Sequence, residues 1–278
     1  MKGLRDRIRW GGPILLISIT LLVADLQQWT GGYGLLVLTL FFGLGACFEA
    51  LSLRDESAAK KWIGLVSFLL FFWGGWLFIA EIGALLKTAV LLLGVPLFLG
   101  SLVTELVASK RRSFVITVAT ALTMSLWLAV PTLAVSLLAR TDPLGVHAVL
   151  LSVLMVKGAD TGSYFVGRNF GRHALHPVSP KKTREGLAGG VMTAAAVGLV
   201  YAWCLGDETL SVGQGAFLGL LAALVGQLSD LQESALKRVA GRKDSGNTIP
   251  GLGGFLDMLD SMLLTIPMLL LVRIILVN

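Results

Sequence analysis

The chain has 278 residues, of which 55% are hydrophobic and only 14% charged, and its mean hydropathy is +0.80. Soluble domains carry about 25% charged residues, so this composition argues against a water-soluble globular protein. The net charge of +6 does not predict nucleic-acid binding, because the basic residues sit in short loops between apolar runs, where the rules of membrane orientation account for them.

Apolar runs of about 20 residues recur along the chain and predict an all-α, polytopic integral membrane protein, because helices satisfy their own backbone hydrogen bonds in lipid. No loop is long enough to build a soluble domain, so we predict a single transmembrane domain over 1–278. Residues 1–145 supply its N-terminal helices, and 146–278 the helices with the candidate motifs. We predict nine spans, at residues 12–28, 33–53, 62–80, 83–107, 114–138, 146–166, 187–206, 211–236 and 256–277.

The distribution of basic residues predicts the orientation of these spans. With nine spans, almost all Lys and Arg residues outside the spans fall on one side, whereas the loops of the other side hold Arg140 and the acidic pair Asp207 and Glu208. Basic loops face the cytoplasm. We therefore expect a multi-pass protein of the inner (cytoplasmic) membrane with a cytoplasmic N-terminus and an external C-terminus.

The cysteines and histidines do not predict a metal site or a disulfide. Cys47 and Cys204 lie inside apolar runs near opposite membrane faces, which predicts two small core residues rather than a bridge. His147, His173 and His176 lack the surroundings of metal ligands, so we do not expect zinc.

Several carboxylates fall at one depth in the predicted topology. Asp160 and Asp230 each lie about six residues before the cytoplasmic end of a span, and Asp257 and Asp260 lie in the first turns of the last span. At 1.5 Å per residue, all four fall within roughly 10 Å of the same interface. Asp257 and Asp260, three residues apart, are expected to share a helix face. Glu49 lies at a similar depth.

Carboxylates gathered at one depth repel one another unless cations or protons neutralise them. Mg²⁺ takes oxygen ligands and often shares them with substrate phosphates, so Asp160, Asp230, Asp257 and Asp260 are candidate metal ligands. The alternative, left open by the sequence, is that these acids form structural ion pairs with Lys157, Lys237 or Arg238.

Two basic loops and a glycine-rich turn lie on the same side as these acids. Lys and Arg suit polyphosphates, a helix start offers backbone N–H groups, and glycines let the backbone approach a ligand closely. The candidate substrate-contacting residues are Ser179, Lys181, Lys182, Glu185, Ser234, Lys237, Arg238, Lys243, Asp244, Gly253 and Gly254.

At these residues the chain resembles the phosphatidate cytidylyltransferase family. The signature of that family is Ser-x-x-Lys-Arg, four residues, Lys-Asp, and then Pro-Gly-His-Gly-Gly-x-x-Asp-Arg-x-Asp. The matching residues are Ser234, Lys237, Arg238, Lys243, Asp244, Pro250, Gly251, Gly253, Gly254, Asp257 and Asp260. Two further blocks, 160–168 and 179–186, also resemble the family. Leu252 and Met258 depart from the pattern, because the family usually has His and Arg there.

The resemblance implies that CTP and phosphatidate give CDP-diacylglycerol and pyrophosphate. It implies Asp230, Asp257, Asp160, Lys237 and Arg238 as catalytic residues. Asp230 and Asp257 would bind Mg²⁺, with Asp160 and Asp260 as further ligands or supports. More than one divalent ion is expected, and a monovalent cation and a homodimer are left open. The acyl chains are expected in the bilayer beside the helices of residues 146–277.

Two kinds of rival function remain. One is another lipid-phosphate enzyme, such as a CTP-using polyprenol kinase or a CDP-alcohol phosphotransferase, although the aspartate pattern of the latter is absent. The other is a cation-coupled transporter. Transporter sites usually lie near the membrane midplane, whereas these acids cluster at one face.

Overall fold

The computed structural model describes residues 7–53, 58–79, 114–141, 145–176, 179–206, 210–250 and 253–277. A π-helical turn, Arg7–Gly11, leads into the first α-helix. The described α-helices are α1 (Gly12–Leu26), α2 (Tyr33–Ser52), α3 (Ala58–Ile79), α4 (Phe114–Thr141), α5 (Gly145–Phe170), α6 (Arg184–Leu205), α7 (Val212–Val239), α8 (Phe255–Leu259) and α9 (Met262–Val277). Between α5 and α6, strands β1 (Ala174–His176) and β2 (Ser179–Thr183) form an antiparallel hairpin.

Six stretches of the described chain are long and apolar enough to cross a membrane. They are Arg9–Leu26, Tyr33–Ser52, Thr117–Ser136, Gly145–Phe170, Arg184–Leu205 and Val212–Val239. The predicted all-α membrane architecture is therefore confirmed. The count of nine spans and the orientation stay predictions, and the predicted span 83–107 lies outside the described residues.

The helix starts next to the hairpin and before α7 are fixed by local capping. The Thr183 hydroxyl accepts a hydrogen bond from the Gly186 N–H at 3.1 Å, so α6 begins at Arg184, three residues before the predicted start. Ser211 and Gln214 form a reciprocal capping box at the start of α7. These caps satisfy N–H groups that have no partner within the helix.

The prediction of one unbroken helix over 256–277 is wrong. Asp260 and Ser261 form a turn between α8 and α9, so Asp257 and Asp260 do not share a continuous helix face. The Asp260 carboxylate accepts the Ser261 N–H at 2.5 Å and its hydroxyl at 3.0 Å, and such local bonds compete with helical ones. Ser229 of α7 bridges the break, because its hydroxyl donates to the Asp260 carbonyl and accepts the Leu264 N–H.

The largest apolar cluster joins the N-terminal helices to the end of the chain. Trp127 and Met124 of α4 and Phe68 of α3 are fully buried, and Leu256 of α8 packs into the same cluster. A buried aromatic residue of this size excludes a large apolar area from solvent. The short helix α8 is thus anchored against α2, where Phe255 packs on Phe41 and Phe42, rather than held only by its neighbours in sequence.

Helices α5, α6 and α7 pack with their backbones in close approach. A Cβ atom added at Gly198 of α6 would lie 2.1 Å from the carbonyl oxygen of Gly215 of α7, and one at Gly190 of α6 would lie 2.8 Å from that of Ala159 of α5. Any larger side chain would push these helices apart. Small residues allow this kind of contact in membrane helices, and the contact fixes the three helices that carry the candidate site.

The two cysteines differ in their surroundings. Cys47 is fully buried as predicted, but Cys204 is exposed on α6, so the prediction of a core residue is wrong there. Both thiols are free. Hydropathy marks a residue as membrane-embedded without telling a lipid-facing position from a protein-facing one, which explains the error.

Candidate active site

Two lysine–carboxylate contacts form the centre of the candidate site. Lys182, near the end of β2, pairs with Asp230 of α7, and Lys237 Nζ lies 2.8 Å from Asp257 Oδ1 of α8. The side chains of Asp230 and Asp257 are 18% and 19% exposed. Three segments that are separate in the sequence are brought together by these contacts, as their shared predicted depth suggested.

Asp257 is held at the start of α8 by backbone donors as well. Its Oδ2 atom accepts the Gly254 N–H at 3.0 Å and the Ser245 N–H at 3.3 Å. Gly253, just before it, has φ +93°, a left-handed conformation that favours glycine. The glycine-rich turn therefore fixes the direction of the Asp257 carboxylate.

Asp230 is linked to its own helix and to the other two acids. Its Oδ1 atom accepts the Ser234 hydroxyl at 3.4 Å, one turn along α7. Asp160 and Asp260 both lie within electrostatic range of Asp230, so these three of the four predicted acids share one region. Lys157 lies next to Asp160, with 3.5 Å between Nζ and Oδ2.

Lys157 has a second contact that the sequence did not predict. Its ammonium donates to the carbonyl oxygen of Met258 at 3.4 Å, which ties α5 to α8 one residue beyond Asp257. The Met258 side chain packs against the apolar cluster, as expected for a residue that turns away from the acids. Leu252, the other departure from the family signature, lies outside the described residues.

Glu233 was missed by the sequence reasoning. It is fully buried, and its Oε2 atom lies 2.5 Å from Lys237 Nζ. The i, i+4 spacing of Glu233 and Lys237 on a helix was the available signal. Lys237 thus stands between a buried carboxylate and the more accessible Asp257.

Glu49 has a larger role than its predicted depth alone indicated. It is 3% exposed and accepts hydrogen bonds from the hydroxyls of Thr248 and Ser245 and from the Leu256 N–H at 3.0 Å. A Cβ atom at Gly254 would lie 2.3 Å from Glu49 Oε2. Glycine at 254 is therefore required by Glu49, independently of any ligand.

The remaining predicted residues lie at the edge of the cluster or form hydrogen bonds within the loops. Glu185 accepts the N–H groups of Arg172 and His173 and contacts His173 Nδ1 at 2.5 Å, so it orders the turn after α5. Arg238 is exposed and donates to the Arg242 carbonyl at 3.2 Å. Neither is brought into the two central lysine–carboxylate contacts.

The other loop residues remain accessible to a ligand. Lys181, Lys243 and Asp244 are exposed, and Ser179 is partly buried at the start of β2. Lys181 is adjacent to Lys182 in the sequence, and Lys243 and Asp244 follow Lys237 by six and seven residues. A large anionic ligand could therefore contact the paired lysines and the loop residues together.

The donor chemistry of the cluster suits a hard divalent cation. Within the described ranges, no three His, Cys, Asp or Glu side chains form a ready-made metal centre. The oxygens of Asp230 and Asp257 are instead occupied by lysine ammonium groups. Carboxylate oxygens are ligands that Mg²⁺ accepts, so the residues fit such an ion if the ammonium groups move to another anion.

Comparison with known proteins gives a consistent result. The chain matches the model of the Cytidylyltransferase family over residues 7–276. It is 44% identical over 126 residues to the phosphatidate cytidylyltransferase of Synechocystis sp., covering 45% of this chain and 43% of that protein. It is 41% identical over 131 residues to the protein of the same name from Staphylococcus haemolyticus, covering 47% and 49%. The matches thus span about half the length of these curated relatives.

Proposed function

Because the chain belongs to the cytidylyltransferase family, we propose that it is a phosphatidate cytidylyltransferase that transfers CMP from CTP to phosphatidate. The products are CDP-diacylglycerol and pyrophosphate, and the pathway is phospholipid biosynthesis. The observation that carries the proposal is the double contact of Lys182 with Asp230 and Lys237 with Asp257. It gathers the chemistry for binding phosphates at one place.

The reaction joins two anions, so charge neutralisation is the main demand on the protein. A phosphate oxygen of phosphatidate attacks the α-phosphorus of CTP and forms a P–O bond. The bond from the α-phosphorus to the oxygen that bridges it to the β-phosphorus breaks, and pyrophosphate leaves with that electron pair. Positioned cations lower the barrier of such a step by stabilising charge on the phosphoryl oxygens and holding the reactants in line.

Lys182 and Lys237 are the groups that we assign to the phosphates. In the free protein their ammonium groups are neutralised by Asp230 and Asp257. Glu233 also contacts the ammonium group of Lys237. When substrate binds, the same ammonium groups can turn to phosphate oxygens, and the freed carboxylates then become available to a divalent cation.

Asp230 and Asp257 would hold Mg²⁺, with Asp160 and Asp260 as further ligands or supports. When bound, the ion would neutralise charge on the triphosphate. The residues of the chain orient these carboxylates: the Gly254 and Ser245 N–H groups fix Asp257, and the Ser234 hydroxyl fixes Asp230. Lys181, Lys243 and Asp244 are assigned to the outer part of the nucleotide.

The assay that tests the function uses the purified full-length protein in mixed micelles with CTP, Mg²⁺ and phosphatidate. We expect CDP-diacylglycerol and pyrophosphate in equal amounts, and no product without phosphatidate. Formation of a phosphorylated polyprenol from CTP, with no CDP-diacylglycerol, would show a kinase instead.

We also propose that the site faces the cytoplasm, supported by the basic loops that surround it. Single cysteines placed in the loops 168–185 and 237–250 should react with a membrane-impermeant reagent only after the inner face is opened. Because Cys204 is exposed, the background should carry Cys204→Ser. Labelling from outside intact cells would contradict the orientation.

A further inference from the structure

A large apolar cavity lies beside the candidate site. Its volume is about 520 Å³, and it is lined by residues of α1, α2, α4, α5, α8 and α9. Ligand pockets have volumes of about 300–1,000 Å³, so it has the size of a binding site rather than of a packing defect. The side chains that face it are almost all aliphatic or aromatic, among them Phe42, Val135, Val153 and Ile266.

One end of this cavity is charged. Among the described residues that line it, Lys157 is the one charged side chain. The cavity follows α5 from Lys157 to Val149, eight residues, or about 12 Å along the helix axis. It is therefore an elongated apolar space with an ammonium group at one end.

The charged end is also the end nearest the reacting groups. Lys157 contacts Asp160 and the carbonyl oxygen of Met258, and Met258 and Leu259 themselves line the cavity. Met258 follows Asp257 directly. A molecule with its chain in the cavity would thus present its head to the acids and lysines of the site.

We propose that this cavity binds one acyl chain of the phosphatidate substrate while Lys157 contacts the phosphate of the same molecule. The inference rests on the proposed function. An apolar wall alone would suit any bilayer lipid, but an ammonium group at the mouth favours an anionic headgroup. The cavity adjoins α5, α8 and α9, which belong to the region 146–277, and α1, α2 and α4 of the N-terminal half line its other side.

The first test narrows the cavity with Val153→Trp, which adds bulk inside it. The matched control is Val200→Trp on α6, at a side chain that is 53% exposed and does not line the cavity. Activity is measured with dioleoyl and with dioctanoyl phosphatidate. We expect Val153→Trp to lower kcat/KM about tenfold for the long-chain substrate and less than about twofold for the short one, because overpacking excludes the longer chain.

In that test the KM of Val153→Trp for CTP should stay within about twofold of the wild-type value. The control Val200→Trp should leave kcat/KM unchanged for both phosphatidates. Equal loss with both chain lengths, or no loss with either, would overturn the acyl-chain site. For Lys157→Gln we expect KM for both phosphatidates to rise about fivefold with KM for CTP unchanged. An equal rise for CTP would overturn the headgroup contact.

A binding experiment on the wild-type protein separates this inference from the proposed function. A phosphatidate with a photoreactive diazirine in its acyl chain should label peptides from residues 145–156 and 33–45. Excess dioleoyl phosphatidate should compete, and dioleoyl phosphatidylcholine should not. Equal competition by both lipids would overturn the site even in an active enzyme. Selective competition would support it even if no CDP-diacylglycerol formed, an outcome that would reject only the function.

Discussion

The turn between α1 and α2 and the candidate site both depend on carboxylates, but the two regions neutralise them differently. Asp25 is 3% exposed and accepts hydrogen bonds from the Thr30 hydroxyl and from the N–H groups of Gly32, Gly34 and Leu35. All four donors are uncharged, and three of them belong to the backbone. Such a carboxylate fixes a turn permanently.

In the site, by contrast, Asp230 and Asp257 remain partly exposed and pair with lysine side chains. A flexible lysine can exchange one anion for another, whereas a backbone N–H cannot leave its position. The comparison indicates that a lysine partner and partial exposure together distinguish the carboxylates available to a ligand from those that only hold the fold.

The largest effect is expected from Asp257→Asn, which removes the charge while keeping the shape. Loss of the carboxylate leaves Lys237 with Glu233 alone and weakens any cation site, so kcat for CMP transfer should fall at least about 100-fold. Thermal unfolding and the size-exclusion profile should stay near wild type. Near-normal Mg²⁺-dependent turnover in this variant would remove Asp257 from the proposed site.

A smaller loss, about tenfold in kcat/KM for CTP, is expected from Lys182→Ala, because one phosphate contact is removed. The matched control is Lys61→Ala on α3, whose ammonium lies 5.5 Å from the centre of the Phe48 ring. Lys60 is unsuitable as a control because it is 1% exposed. Equal losses in the two variants would mean that the basic loops serve orientation rather than substrate.

Glu49→Gln should give an intermediate result, because Glu49 is held like Asp25 but lies beside the site. Glutamine keeps one acceptor oxygen and replaces the other with an amide that cannot accept the Leu256 N–H. We expect about 1–2 kcal/mol less stability in chemical denaturation and about a threefold lower kcat, since the Gly254 turn would shift. If both kcat and stability were unchanged, Glu49 would have no role in holding the Gly254 turn.

The smallest effect on activity is expected from Asp25→Asn. Asparagine can accept fewer of the four hydrogen bonds, so stability should fall by about 1–3 kcal/mol. The activity per folded molecule should remain that of the wild type. A fall in specific activity comparable to that of Asp257→Asn would show that Asp25 is needed for activity as well as for folding.

The sequence predicted the helices well where the signal was local. The predicted span 33–53 matches α2 within one residue, because length and apolar composition set such a helix. The break at Asp260 and Ser261 was not predictable from the hydropathy of residues 255–277, since it depends on Ser229 of another helix.

The site was predictable to a similar degree. Common depth in the membrane was enough to bring Asp230, Asp257 and the basic loops together. The partners of Glu49 were not predictable, because Ser245, Thr248 and Leu256 lie about 200 residues away in the chain. Long-range contacts of that kind leave no periodic pattern in the sequence.

The distance in the chain between Glu49 and its donors has a consequence for biosynthesis. Glu49 belongs to α2, and its donors follow it by about 200 residues, so they leave the ribosome much later. Until they do, this acid would lie in or near the bilayer without the bonds that stabilise it, an expensive arrangement for a carboxyl group. A chain truncated before these donors would keep the unpaired Glu49 carboxyl group. Membrane quality control could recognise incomplete chains by this feature.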